Sequence, residues 1–173
     1  MDRLPVFKGR VVDLGIETAT MPNGKVVELE IVRHPGAAAI VPLHEDGTVT
    51  LVYQFRHAGG GMIYEIPAGV LEEGEIPDLA ARRELKEEVG LSAGSIKRLG
   101  IIHTTPGFTD ERIYIFLATE LEEGDSALEE DEYLRPVRMP LEQALQMVVD
   151  GDITDAKTIC GLMLAERAVA AAD

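Results

Sequence analysis

The stretch from Gly69 to Leu91 constrains this chain more than any other, because it writes a loop, a helix and a helix stop in succession. Pro77 suits a first helical turn. Ala80, Ala81, Leu85, Lys86 and the glutamates favour helix, and Gly90 falls where a C-terminal cap belongs. The helix predicted over 77–89 places Glu84, Glu87 and Glu88 at i, i+3 and i+4, within one arc of about 100° on its surface. Carboxylates so spaced repel each other by about 0.2–0.5 kcal/mol per pair, so a bare helix gains nothing from them. A divalent cation reverses that sign. Three hard oxygen ligands on adjacent turns suit Mg²⁺, which keeps part of its water shell and takes further ligands from phosphate. Arg83, one turn before Glu87, can pair with an acid and hold its rotamer. Leu85 and Val89 lie on the side that can anchor the helix to a sheet.

The segments around this helix read mainly as strands. Residues 26–32 and 48–55 alternate apolar and polar positions, while 37–43 is a continuous apolar run suited to a buried strand. Pro22-Asn23-Gly24 and Asp46-Gly47 supply turn chemistry between them. Further strands are predicted at 63–67, 96–103, 113–118 and 134–139, and two closing helices at 140–149 and 155–172. Strands that precede and then surround one central helix describe a mixed α+β sandwich without internal repeats. The acidic stretch 120–132 reads as a long loop, a kind of segment that is usually functional or mobile.

Composition narrows the class. A chain of 173 residues with 46% hydrophobic and 27% charged residues fits a single domain, 1–173, able to fill a core. With 31 acids against 16 bases, its net charge of −15 argues against nucleic-acid partners and against anionic membrane surfaces. No apolar run approaches the length of a membrane span, and the first ten residues lack the apolar core of a secretion signal. Cys160 is the one cysteine. It excludes an internal disulfide framework and a cysteine-based zinc site, and fits a reducing cytoplasm. His34, His44, His57 and His103 are scattered, with His57 the one nearest the candidate site.

The helix does not stand alone. The segment fits the pattern Gx₅Ex₇REUxEExGU (U, a bulky apolar residue) at every fixed position, from Gly69 and Glu75 through Arg83, Glu84, Leu85, Glu87, Glu88 and Gly90 to Leu91. With each fixed residue at roughly 7% frequency, a chance match is on the order of 10⁻⁷. It resembles the Nudix box. The resemblance implies an α/β/α sandwich, a mixed central sheet between helices, with an N-terminal antiparallel sheet. It also implies hydrolysis of a nucleoside diphosphate linked to another moiety, with Mg²⁺ or Mn²⁺ held on the loop-helix-loop. Carried over by position, Glu84 and Glu88 are the principal metal ligands, Glu87 a third and the backbone carbonyl of Ala68 a fourth. Gly69 lies against the substrate, and Glu75 and Arg83 brace the loop.

A second set of residues resembles the ADP-ribose pyrophosphatase branch of that family. Pro106 lies sixteen residues after Gly90, within Thr104-Thr-Pro-Gly-Phe-Thr-Asp-Glu-Arg112. Gln54-Phe55-Arg56 ends a strand before the box, Tyr64-Glu65-Ile66-Pro67-Ala68-Gly69 leads into it, and Glu111 follows the proline. The resemblance makes Arg56 and Glu111 substrate contacts. It also makes Glu130 the catalytic base and Glu132 a further metal ligand, though neighbouring Glu129 and Asp131 offer the same chemistry. The branch places an adenine-stacking aromatic in the first strands, where this chain offers Phe7, and a second arginine near Arg33. The expected activity is Mg²⁺-dependent cleavage of ADP-ribose to AMP and ribose 5-phosphate by a homodimer whose partner contacts involve residues 1–35. GDP-mannose or another nucleoside diphosphate sugar is the alternative substrate. A non-catalytic ADP-ribose sensor is the remote alternative.

Overall fold

The computed structural model describes residues 3–127 and 133–171. Three strands, β1 (Arg3–Lys8), β2 (Asp13–Thr20) and β3 (Val26–Arg33), form an N-terminal antiparallel meander. The chain then enters β4 (Ala37–Pro42), β5 (Thr48–Arg56), β6 (Gly61–Glu65) and β7 (Ala68–Val70) before helix α1 (Pro77–Val89). Strands β8 (Leu91–His103), β9 (Arg112–Glu123) and β10 (Leu134–Pro140) follow, then α2 (Leu141–Asp150) and α3 (Ala156–Ala170).

Strand β4 is the centre. All six of its residues are buried, as a continuous apolar run requires of a strand covered on both faces. It pairs parallel with β9 and antiparallel with β7, and β9 pairs antiparallel with β8, giving the mixed sheet β7-β4-β9-β8. Ala38 and Ile40 turn to one side and pack with Ala80, Ala81 and Leu85 of α1. Ala37, Ala39 and Val41 turn to the other, toward Leu51, Ile66, Ile115, Leu162 and Ala165. That second layer combines α2 and α3 with the sheet β10-β5-β6. Helix α3 comes close because Gly161 has no side chain; a Cβ there would stand 2.7 Å from Ile66 Cδ1.

The sequence placed α1 over its observed span, but two neighbours differ from expectation. Strand β8 starts at Leu91 rather than residue 96, and β9 runs to Glu123, so the acidic loop begins at Gly124 rather than residue 120. The cause is non-local: Leu91 pairs with Glu123 and Ser92 with Glu122, so the hairpin zips back to the end of α1. Gly90 makes this junction fit. It takes a left-handed φ of 65° to cap α1, and a Cβ there would lie 2.6 Å from the Gly124 carbonyl oxygen.

The N-terminal meander joins the body at the loop after β8. Val32 N–H donates to the Phe108 carbonyl (2.8 Å), and Arg33 donates to Glu17 on β2 and to Asp110 (2.8 Å). Hydrogen bonding to Glu17 and Asp110 raises the Arg33 pKa further above its ordinary value, so it stays charged as a joint between sheet and loop. No helix among the described residues is long and apolar enough to cross a membrane.

Candidate active site

A cleft of about 990 Å³ opens at the edge where β4 and β9 begin and β8 ends. Helix α1 supplies its acidic wall. A solvated acidic helix face would leave all three glutamates exposed, yet Glu84 is 7% and Glu88 2% accessible. They share the buried stripe of α1 with Ala80, Ala81 and Leu85. Burying carboxylates is costly unless they are hydrogen-bonded or paired. Strand β7 supplies part of the compensation: Ala68 N–H donates to Glu88 Oε2 at 2.9 Å. At Gly69 the backbone runs so close that a Cβ would stand 1.9 Å from Glu84 Oε1.

Arg83 holds the rest of this wall. Its Nη1 donates to Glu84 Oε1 (2.6 Å) and Glu87 Oε2 (3.0 Å), while Nε and Nη2 grip both oxygens of Glu75 (3.1 and 3.0 Å). Nη2 also reaches the Val70 carbonyl at 3.2 Å. The hydrogen bond to Glu75 is the largest influence raising the Arg83 pKa, and the same bond holds Glu75 below its ordinary 4.5. Among the described residues, no three His, Cys, Asp or Glu side chains converge closely enough to hold a metal ion, and Arg83 is the counter-charge between Glu84 and Glu87. The chemistry of the donor set nevertheless fits a hard divalent cation: carboxylates and a backbone carbonyl, without thiol or imidazole.

Strands β5 and β6 and the start of α3 supply a second, basic wall. Arg56 forms a two-point pair with Glu65, Nε to Oε1 at 3.1 Å and Nη2 to Oε2 at 2.8 Å. Lys157 Nζ lies 3.1 Å from Glu65 Oε2 and 3.1 Å from Asp155 Oδ1. Burial pushes the Glu65 carboxyl upward, but hydrogen bonding to Arg56 and the Lys157 charge outweigh it and hold the group below 4.5. Hydrogen bonding to Glu65 likewise raises the Arg56 pKa, so Arg56 and Glu65 are both ionised at neutral pH. A third wall comes from the loop after β8, where Thr104 Oγ1 donates to Glu111 Oε2 at 2.8 Å.

The cleft thus brings together Arg56, Ala68, Gly69, Arg83, Glu84, Glu87, Glu88 and Glu111, all singled out in the sequence. Glu75 joins them through Arg83. Glu129, Glu130, Asp131 and Glu132 lie outside the described residues. One expectation changes. His103, not His57, borders the cleft, because β8 delivers it to the sheet edge while His57 begins a short 3₁₀ turn. Phe7 is 58% exposed and outside the cleft lining, and Arg33 is consumed by Glu17 and Asp110. Sequence reasoning missed Lys157 and the pairing role of Glu65, both of which depend on contacts between distant segments.

The layered fold and this acid-walled cleft define a class. Residues 32–160 match the model of the NUDIX domain, and the chain belongs to that family. It is 43% identical over 155 residues to the ADP-ribose pyrophosphatase of Bacillus subtilis (strain 168), covering 88% of this chain and 84% of that protein. It is 40% identical to the methanol dehydrogenase activator of Bacillus methanolicus, with 89% and 84% covered. Identity to the GDP-mannose pyrophosphatase of Yersinia pestis (strain Pestoides F) is 35%, with 78% and 72% covered. A crystal structure of an ADP compounds hydrolase shares the fold with a TM-score of 0.85 at 24% identity, over 99% of this chain and 94% of that one.

Proposed function

We propose that the chain is a divalent-cation-dependent hydrolase that cleaves ADP-ribose to AMP and ribose 5-phosphate. The observation that carries this reading is the burial of Glu84 and Glu88 along a cleft that also presents Arg56. Two carboxylates held in a helix's buried stripe cost stability, and a metal-dependent reaction accounts for keeping them there. The cleft is large enough for a dinucleotide-sized ligand. Similarity to the Bacillus subtilis pyrophosphatase over most of both chains supports the substrate class.

Glu84, Glu87, Glu88 and the Ala68 carbonyl would hold Mg²⁺ or Mn²⁺. When bound, the cation supplies neutralisation of the diphosphate and a more acidic bound water. The chain's own groups do the rest. Arg56 spends Nε and Nη2 on Glu65, and its Nη1 stands outside that pair to donate to a phosphate oxygen. Glu111, steadied by Thr104, would accept from a substrate hydroxyl. Glu130 would take the proton of the attacking water, and Glu132 would add a further ligand to the cation. The exposed apolar residues of the meander, Leu4, Val6, Phe7, Val11 and Val12, support a homodimer closed through this sheet.

The test is incubation with Mg²⁺ and ADP-ribose, GDP-mannose, NADH and nucleoside triphosphates in ¹⁸O-water, followed by mass analysis of the products. The expected result is preferential cleavage of ADP-ribose with ¹⁸O in AMP, the signature of attack at the adenosyl phosphorus. Preference for GDP-mannose, the second reading suggested by the Yersinia relative, would replace the substrate assignment. Binding of ADP-ribose without cleavage would make the protein a sensor.

A further inference from the structure

Lysine at the start of α3 is out of place by the ordinary rules of helix design. Lys157 is the second residue of a helix spanning Ala156–Ala170, where the backbone dipole already presents positive charge and an acid would be favoured. Its side chain is only 12% exposed, so it is not a solvated surface lysine either. Stability of α3 does not explain it, since Asp155 caps the helix through Thr158 N–H at 2.9 Å. What the position does provide is access: Asp155, Ala156 and Lys157 border the same cleft as Arg56 and the α1 glutamates.

Two acids hold Lys157 there. Glu65, 3% exposed, receives it at 3.1 Å on the same oxygen that accepts from Arg56 Nη2, and Asp155 receives it at 3.1 Å. An ammonium has three donors, so these two contacts leave one N–H beyond the pairs. A second observation marks this wall as built for a ligand. Gln54, two residues before Arg56 and therefore on the same face of β5, borders the cleft at 4% exposure, and among the described residues its Oε1 has no hydrogen-bond partner, which leaves an acceptor for a ligand hydroxyl beside the cations that would take the phosphates.

We infer that Lys157 is a second cationic contact for the substrate diphosphate, held beside Arg56 by the one carboxylate of Glu65 that both share. The inference rests on the reading of the cleft as a diphosphate site. Glu65 is then a positioning residue. It fixes two long side chains before substrate arrives, so that ordering them is not charged against binding.

Calorimetric titration of the full chain with ADP-ribose in EDTA measures the contact without cleavage, and kinetics with Mg²⁺ measure it during turnover. Loss of one charge-assisted hydrogen bond in K157M should raise Kd and KM by about 10- to 100-fold. Because the contact is made equally before and during reaction, kcat should change little. K157R should recover most of the affinity, which a purely structural lysine would not require. If K157M does not fold, K157Q, whose amide can still donate to Glu65 and Asp155 while Arg56 keeps its own pair, should show the same rise in Kd. A folded variant with wild-type Kd, or wild-type protein that fails to bind ADP-ribose, would overturn the inference. Wild-type binding that depends on Lys157 but leads to no hydrolysis would sink the hydrolase reading and leave the contact standing.

Discussion

Gly69 shows how narrowly the site is drawn at the scale of single residues. The fixed glycine of the sequence pattern is required because Glu84 occupies the space of its missing side chain, 1.9 Å from where a Cβ would be. G69A should therefore displace Glu84 or the loop. The expected outcome is a fall in kcat of about 100-fold or more, with a stability loss of about 1–3 kcal/mol in urea unfolding. Near-normal turnover would mean that Glu84 is not held by this contact. The residues legible in the sequence were those bound by local arithmetic. Glu84, Glu87 and Glu88 follow from helical spacing, and Arg83 from its place one turn before Glu87. Glu65 and Lys157 were not legible, because a glutamate in a short strand and a lysine in a first turn carry no mark of each other until β6 and α3 are packed together.

At the scale of elements, the basic wall depends on how α3 is fastened to the end of β6. Thr158, fully buried, donates through Oγ1 to Asp155 Oδ2 at 2.6 Å and accepts from Ile66 N–H at 2.8 Å. T158V keeps the shape and leaves Asp155 its bond from the backbone N–H of residue 158, but strands the Ile66 N–H, and should lower the urea midpoint by the equivalent of about 1–3 kcal/mol with an unchanged m-value. An unaltered midpoint would show that water replaces the hydroxyl. Buried β4 and helix α1 were readable because their patterns are strong and local. The true start of β8 was not. Ser92, Ala93, Gly94 and Ser95 have weak strand preference, and pairing with β9 imposes the conformation on them. The same pairing extended β9 to Glu123 through residues whose charge suggests a loop.

For the whole molecule, the joint between meander and body gives a pH signature. Hydrogen bonding from Arg33 holds Glu17 below its ordinary 4.5, and Arg83 does the same for Glu75. A depressed carboxyl stabilises the fold fully above its unfolded value and loses that contribution as pH falls through its folded value. The melting temperature should thus be level near neutrality and drop increasingly below about pH 4.5. E17Q should start lower at neutral pH and fall less steeply in acid; a slope matching wild type would remove Glu17 from the account. The proposed dimer makes a separate prediction. Leu4 is 63% exposed on β1, so L4D should shift a dimeric wild type to monomer in sedimentation, and a monomeric wild type would refute the interface. The net charge of −15 remains a barrier to an anionic substrate until a cation and the basic wall offset it locally. The most direct test of that central claim is AMP release from ADP-ribose at saturating Mg²⁺ by wild type and E88Q. Glutamine can still accept from Ala68 N–H, so the fold should hold while kcat drops by about 100-fold or more. Equal turnover by the two proteins would contradict the account.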